Sequence, residues 1–155
     1  MFVDHASGYI FVHNQISLRT GETLQGKQAF EAFARQHGVT VKSYHADNAP
    51  FNSEGFQNDL RLKNQAIKFS GVGAHHQNGV AENAIKTVTG WARAMLLHSI
   101  IHWPEQADPT LWPFALDYSV QLWNRMSQRE LLVAPIELFG STKFDNYSHL
   151  QRARV

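Results

Sequence analysis

Two carboxylates stand out by type and setting. Asp47, in HADNAPF, and Glu82, in QNGVAEN, lie 35 positions apart. Brought within several ångströms of each other, they would form a hard, oxygen-rich site of the kind that suits Mg²⁺ or Mn²⁺. In phosphoryl chemistry two such ions, about 3.5–4 Å apart, activate the attacking oxygen and stabilise the leaving one. Each acid also has a plainer reading: an Asp beside an Asn in a loop forms turns, and a Glu on a helix sits on a solvated face. The elements that carry the two acids decide between these readings.

VTVKSYHA alternates and starts with β-branched residues, which predicts a strand over Val39 to Ala46 with Asp47 at its carboxyl tip. The glycine-containing segment GVGAHHQNG leads into a long amphipathic helix from about Gln77 to Ser99, with Glu82 one turn in. Around these, Met1 to Asp4 and Tyr9 to Ser17 read as a hairpin joined by HASG. Leu24, Ala29, Phe30, Phe33 and Ala34 recur at helical spacing before Gly38, a natural cap. Asn52 or Ser53 opens a short helix to about Lys63, and AIKFSGV reads as a further strand. Asp108 or Thr110, with Pro109, begins a helix carrying Leu111, Phe114, Ala115, Tyr118, Leu122 and Met126. APIELFG holds a short helical turn. Strands alternating with helices predict an α/β layered sheet, in which polar residues at the carboxyl ends of strands are the expected ligand positions.

With 155 residues, 43% of them apolar and 17% charged, the chain has the makings of one domain with a hydrophobic core. Without cysteine it can hold neither a disulfide nor a Cys-containing zinc site. No stretch approaches the roughly 20 apolar residues of a membrane helix, and no signal-peptide pattern opens the chain, so a soluble protein with no membrane partner is expected. A net charge of +1 predicts no acidic partner by itself, so any nucleic-acid contact must come from local placement.

The ordered motifs HADNAPF and GAHHQNGVAEN resemble the integrase catalytic core of retroviruses and copia-type LTR retrotransposons, within the RNase H-like superfamily. The likeness runs along nearly the whole chain. VDHASGYIFV is similar to that family's second-strand and third-strand hairpin, HADN to its second-aspartate motif, and HHQNGVAE to the PxxNGxxE segment before its catalytic glutamate. LWPFALDYSVQLWNRM and APIELFG resemble the copia-type helix and the TPYELW-like turn after it. DNAPFNS departs from the family's DNGGEF-like text and is one residue shorter.

The resemblance implies an RNase H-like mixed sheet with helices on both faces. Asp47 and Glu82 would be two members of a D, D, E triad holding Mg²⁺ or Mn²⁺, with DNA as partner and a second copy of the chain as a further candidate. The family's first aspartate sits on a central first strand, for which this chain has no counterpart upstream of the hairpin. Asp4, in the hairpin turn, would stand roughly 13 Å away, four positions at about 3.3 Å each; it is read as an acceptor of turn hydrogen bonds. A core lacking that strand, spanning residues 1–140 with an extension over 141–155, is therefore expected to be marginally stable and, alone, inactive.

Lys86, Thr89 and Arg93 follow Glu82 along one helix face. The resemblance assigns that face to DNA, with Asn78 and Gly79 in the loop that lets the helix approach the site; a simple Glu82 to Lys86 surface pair is the alternative. His45, His75 and His76 are expected to hydrogen-bond or contact phosphate rather than bind metal, because a hard cation prefers oxygen. Trp91, Trp112 and Trp123 fall at helical spacings and are expected in the core. Arg152 and Arg154 read as a solvated end. The function implied is DNA integration by metal-dependent strand transfer in an intact parent, acting in the nucleus. A non-catalytic nucleic-acid-binding or assembly module is the contrasting reading, and an RNase H-type nuclease a third.

Overall fold

The computed structural model describes residues 1–47, 51–70, 79–127 and 132–141. In chain order these form β1 (Phe2–Val3), β2 (Ile10–Phe11), α1 (Thr20–Gln36), β3 (Ser43–Ala46), α2 (Glu54–Leu62), β4 (Ala66–Phe69), α3 (Gly79–His102), a 3₁₀ turn (Pro109–Leu111), α4 (Trp112–Arg125) and α5 (Pro135–Gly140). The predicted order is observed, and the architecture is mixed α/β.

The sheet is divided. β1 pairs antiparallel with β2, Phe2 opposite Phe11 and Val3 opposite Ile10. β3 pairs parallel with β4, from Ser43 opposite Ala66 to Ala46 opposite Phe69. The two pairs form separate two-stranded sheets rather than one mixed sheet. Aromatic rings align them over α1: Phe11 and Phe2 both contact Phe30, at 5.5 and 4.9 Å between centroids, Phe2 contacts Tyr44 at 6.3 Å, and Tyr44 contacts Phe56 at 6.3 Å. β1 and β3 are thus the inner strands of the two pairs.

Backbone directions show which edges are open. Asn124 bonds both the N–H and the carbonyl of Ile10 from the side away from β1, so the opposed Val3 also turns its backbone groups away from its partner strand. Lys42 and Ala46 carbonyls accept from Ala66 and Ser70 on the β4 side, so the alternate residues Ser43 and His45 direct theirs to the other side. None of these outward groups finds a backbone partner among the described residues.

Helices cover both faces of the β1–β2 pair. Tyr9, Phe30, Ala34, Ala134, Ile136 and Phe139 form one core cluster, and Ile10, Ala84, Val88 and Val120 the other. The β3–β4 pair departs from the expected two-sided cover: the face bearing Ser43, His45, Ala66 and Lys68 is exposed. The strands are also shorter than the alternation predicts, because alternation supplies a face but a ladder needs a neighbour. Val39 and Val41 pack against the first cluster without entering a ladder.

Local chemistry fixes the turns and helix ends. Asp4 accepts from the Ser7 amide at 2.8 Å and the Ser7 hydroxyl at 2.6 Å, the turn role expected of it, and Gly8 supplies a φ of 69° that closes the hairpin. Gly38, at φ 73°, ends the α1 region as its position predicts. Asp108 accepts from the Thr110 amide at 2.8 Å and starts the 3₁₀ turn ahead of α4. Ser53 stands at the N-cap of α2 but makes no side-chain cap bond. Trp91 and Trp123 meet at 5.9 Å, whereas Trp112 is exposed, contrary to a core assignment.

Candidate functional site

Asp47 follows directly on Ala46, the buried last residue of β3. The position of β3 is set by a polar node that the sequence reading missed. Lys27 of α1 is fully buried, and its ammonium donates to Glu31 at 2.6 Å, to Asp59 of α2 at 2.5 Å and to Gln65 at 2.7 Å. Those three acceptors use all three donors of a lysine. The Tyr44 hydroxyl of β3 donates to Glu31 at 2.7 Å, Gln65 donates to Glu31 and to the Val41 carbonyl, each at 2.9 Å, and Lys63 donates to Glu31 at 2.7 Å. The Lys27 ammonium also lies 5.3 Å from the Tyr44 ring centre. One node therefore ties α1, α2 and β3 together beneath the strand that ends at Asp47.

The node fixes protonation. Burial alone would push the Glu31 carboxyl up, but donors from Lys27, Lys63, Tyr44 and Gln65 outweigh it and hold the group at about 2. Asp59 is shifted down as well, its burial outweighed by Lys27 and Lys63. Burial, then the bond to Glu31, drives the Tyr44 hydroxyl upward. All partners of the node are satisfied and none faces open solvent as a free acid, so it is a scaffold. Only the aligned lysines and acids at i, i+4 (Lys27 with Glu31, Asp59 with Lys63) hinted at it in the sequence.

Glu82 is exposed in the first turn of α3. Two residues further on, Ala84 enters the core with Val88, against Ile10 and Val120. This packing seats the amino-terminal half of α3 on the hairpin and α4. Lys86 and Arg93 are exposed on α3, and Glu82 and Lys86 form no ion pair among the described residues, so the simple surface pair is not formed. His45 hydrogen-bonds Ser70 at 3.1 Å, in keeping with the role expected for it. Asn78, His75 and His76 lie outside the described residues.

Asp47 and Glu82 thus stand exposed on two elements that are anchored independently. Their donor type, carboxylate oxygen, suits a hard divalent cation. Their number falls short: no group of three or more His, Cys, Asp or Glu side chains gathers into a metal site among the described residues.

The divided sheet, α1 beneath both halves and the α3–α4 pair on one of them make a mixed α/β fold similar to that of integrase catalytic cores. The solved structures it is similar to include two of the HTLV-2 integrase catalytic core domain in complex with magnesium, one a trimeric form and one a dimeric form. They match with TM-scores of 0.66 and 0.63 at 16% sequence identity, over 88% of this chain and 80% of each of theirs. At that identity the likeness concerns the fold. No family model matches the chain, and no curated protein matches it in sequence.

Proposed function

We propose that this chain is an integrase-core module of the copia-type retrotransposon kind, over residues 1–140 with 141–155 as an extension, in which Asp47 and Glu82 share a divalent cation beside bound DNA. One observation carries this reading: an acid at the carboxyl tip of β3 and an acid in the first turn of α3, within a fold similar to integrase cores over most of the chain. Bound there, Mg²⁺ or Mn²⁺ would polarise a phosphodiester and lower the pKa of the attacking hydroxyl. The chain's own residues supply the setting. The Lys27 node holds β3, the Ala84 and Val88 packing holds α3, and Lys86 and Arg93 offer cations along the face that Glu82 begins. Asn78 joins them in the proposal as a DNA contact at the start of that helix.

The break between β1 and β3 fits this reading. Val3 on one side and Ser43 and His45 on the other present backbone groups without a backbone partner among the described residues, as the two flanks of an inserted strand would. We take the break as the seat of a central strand bearing the third carboxylate, which makes strand transfer the activity of the completed core and leaves the present chain with two ligands of three.

The contrasting reading is a nucleic-acid-binding or assembly module without metal chemistry. Fluorescence anisotropy of labelled duplex DNA with a free 3′-hydroxyl separates the two. Binding that strengthens with Mn²⁺ in the unmodified chain but not in Asp47→Asn supports the metal-assisted reading. Binding indifferent to Mn²⁺ supports the contrasting one, and no binding at all sinks both.

A further inference from the structure

α3 ends on a pair of histidines one helical turn apart. His98 and His102, in HSIIH, are four positions from each other, a spacing that puts two side chains on one face of a helix, one above the other. Their rings lie 4.2 Å apart between centres, inclined at 40°. Both side chains are exposed, and no hydrogen bond or ion pair holds either ring among the described residues. Trp103 lies against both, 5.9 Å from His98 and 5.8 Å from His102. The backbone fixes Trp103 in turn: its N–H bonds the Ser99 carbonyl at 2.8 Å, and its own carbonyl accepts from the Gln106 and Ala107 amides, each at 3.0 Å. The indole thus narrows the rotations open to the two imidazoles and keeps the pair together.

Two facing imidazoles offer the nitrogen donors that Zn²⁺, Ni²⁺ and Cu²⁺ prefer, whereas hard Mg²⁺ takes oxygen. An ion about 2.0–2.1 Å from one nitrogen of each ring, with its ligands at roughly 90–110°, puts the ring centres roughly 4.5–5 Å apart. The observed 4.2 Å is a small ring rotation away. The surroundings favour positive charge. Between Arg93 and Arg125 the chain carries Glu105, Asp108 and Asp117 and no Lys or Arg, and the carbonyl end of a 24-residue helix adds its partial negative charge. Ser99 follows the first histidine where a helical zinc hydrolase has its glutamate base, and no third His, Asp or Glu gathers with the pair among the described residues. The arrangement therefore holds an ion without supplying a base, and it leaves the ion's remaining positions to water.

We propose that His98 and His102 bind a borderline divalent transition ion, Zn²⁺ or more tightly Cu²⁺, at the carboxyl end of α3. The ion ties the last turn of the helix to the turn before it. Its donors are nitrogen rather than oxygen, so the site is separate in kind from the carboxylate pair. The inference stands if Asp47 and Glu82 bind no ion.

Titration calorimetry of the full chain with ZnCl₂ tests it, with His98→Gln, His102→Gln and, as control, the exposed His5→Gln compared. Once one imidazole is bound the second binds within the same molecule, so removing either is expected to weaken Zn²⁺ binding about 100-fold, with unchanged helical circular dichroism. His5→Gln should leave the affinity as it is, and an excess of Mg²⁺ should not displace the Zn²⁺. Substoichiometric Cu²⁺ adds a second measurement on the unmodified chain. Of its nine histidine ring resonances, those of His98 and His102 are expected to broaden first by nuclear magnetic resonance. No uptake of Zn²⁺, equal affinity in the parent and both folded glutamine variants on α3, displacement by Mg²⁺, or first broadening at other histidines would each overturn the proposal.

Discussion

Asn124 of α4 bonds the backbone of Ile10 at two points: its Oδ1 accepts the Ile10 N–H at 2.9 Å, and its Nδ2 donates to the Ile10 carbonyl at 2.8 Å. The side-chain amide copies the peptide of a neighbouring strand. It closes the outer edge of β2, where no strand pairs among the described residues, and it couples α4 to the hairpin that α3 also covers. Among the described residues the inner edge of β1 has no such device, which sets the two edges of the same pair apart.

Asn124→Ala removes both bonds and leaves a buried N–H and carbonyl without partners. The expected loss is about 2–4 kcal/mol, at about 1–3 kcal/mol for each orphaned group with partial relaxation. Asn124→Asp keeps the acceptor but turns a charged oxygen on the Ile10 carbonyl, so it is expected to be no better. Urea unfolding followed by circular dichroism checks both.

Lys27→Met leaves Glu31 and Asp59 facing Lys63 alone. Breaking a buried pair on one side costs about 3–5 kcal/mol, so this variant is expected to be among the most damaging in the chain. Adding Asp59→Asn restores one acid to one amine, and the double variant is expected to recover part of the loss. Thermal unfolding of the single and double variants reads this directly. A single variant as stable as the parent would remove the node from the account.

Acid should uncouple the same node. Glu31 is held at about 2 in the folded protein, below its ordinary 4.5. A carboxyl depressed on folding contributes stability that is fully present above its unfolded value and is lost as pH falls through the folded one. Stability is therefore expected to decline from about pH 4.5 towards pH 2, with Asp59 acting in the same direction. Glu31→Gln should lower stability at neutral pH and flatten this decline. Denaturation midpoints across that range, parent against variant, provide the check.

Charge reversal on α3 probes the DNA face. Lys86→Glu and Arg93→Glu are expected to weaken duplex binding and to lower the slope of log affinity against log salt by about one for each phosphate no longer neutralised. Arg61→Glu, on α2, serves as control and should change neither quantity.

The sequence made some levels of this structure readable and hid others. The helices followed from apolar spacing, and Gly38, Asp4 and Asp108 announced local geometry because their partners lie within a few residues. Strand extent was less legible. Val39 to Ala46 alternates like a full strand, but among the described residues the ladder runs only over Ser43 to Ala46, and pairing is a long-range fact. Lys27 was harder still: its acceptors Asp59 and Gln65 lie 32 and 38 positions away, and nothing local distinguishes it from a solvated lysine. Trp112 misled for the opposite reason, since helical spacing predicts a face but not whether anything covers it. Asp47 and Glu82 were legible as candidates by their places on a strand tip and an early helical turn.

Mn²⁺ titration followed by electron paramagnetic resonance tests the shared ion directly, on the parent chain, Asp47→Asn, Glu82→Gln and the double variant. A shared ion predicts strong coupling: either single change should abolish nearly as much binding as both together. Independent, additive losses, or a parent chain that takes up no more Mn²⁺ than the double variant, would contradict the account.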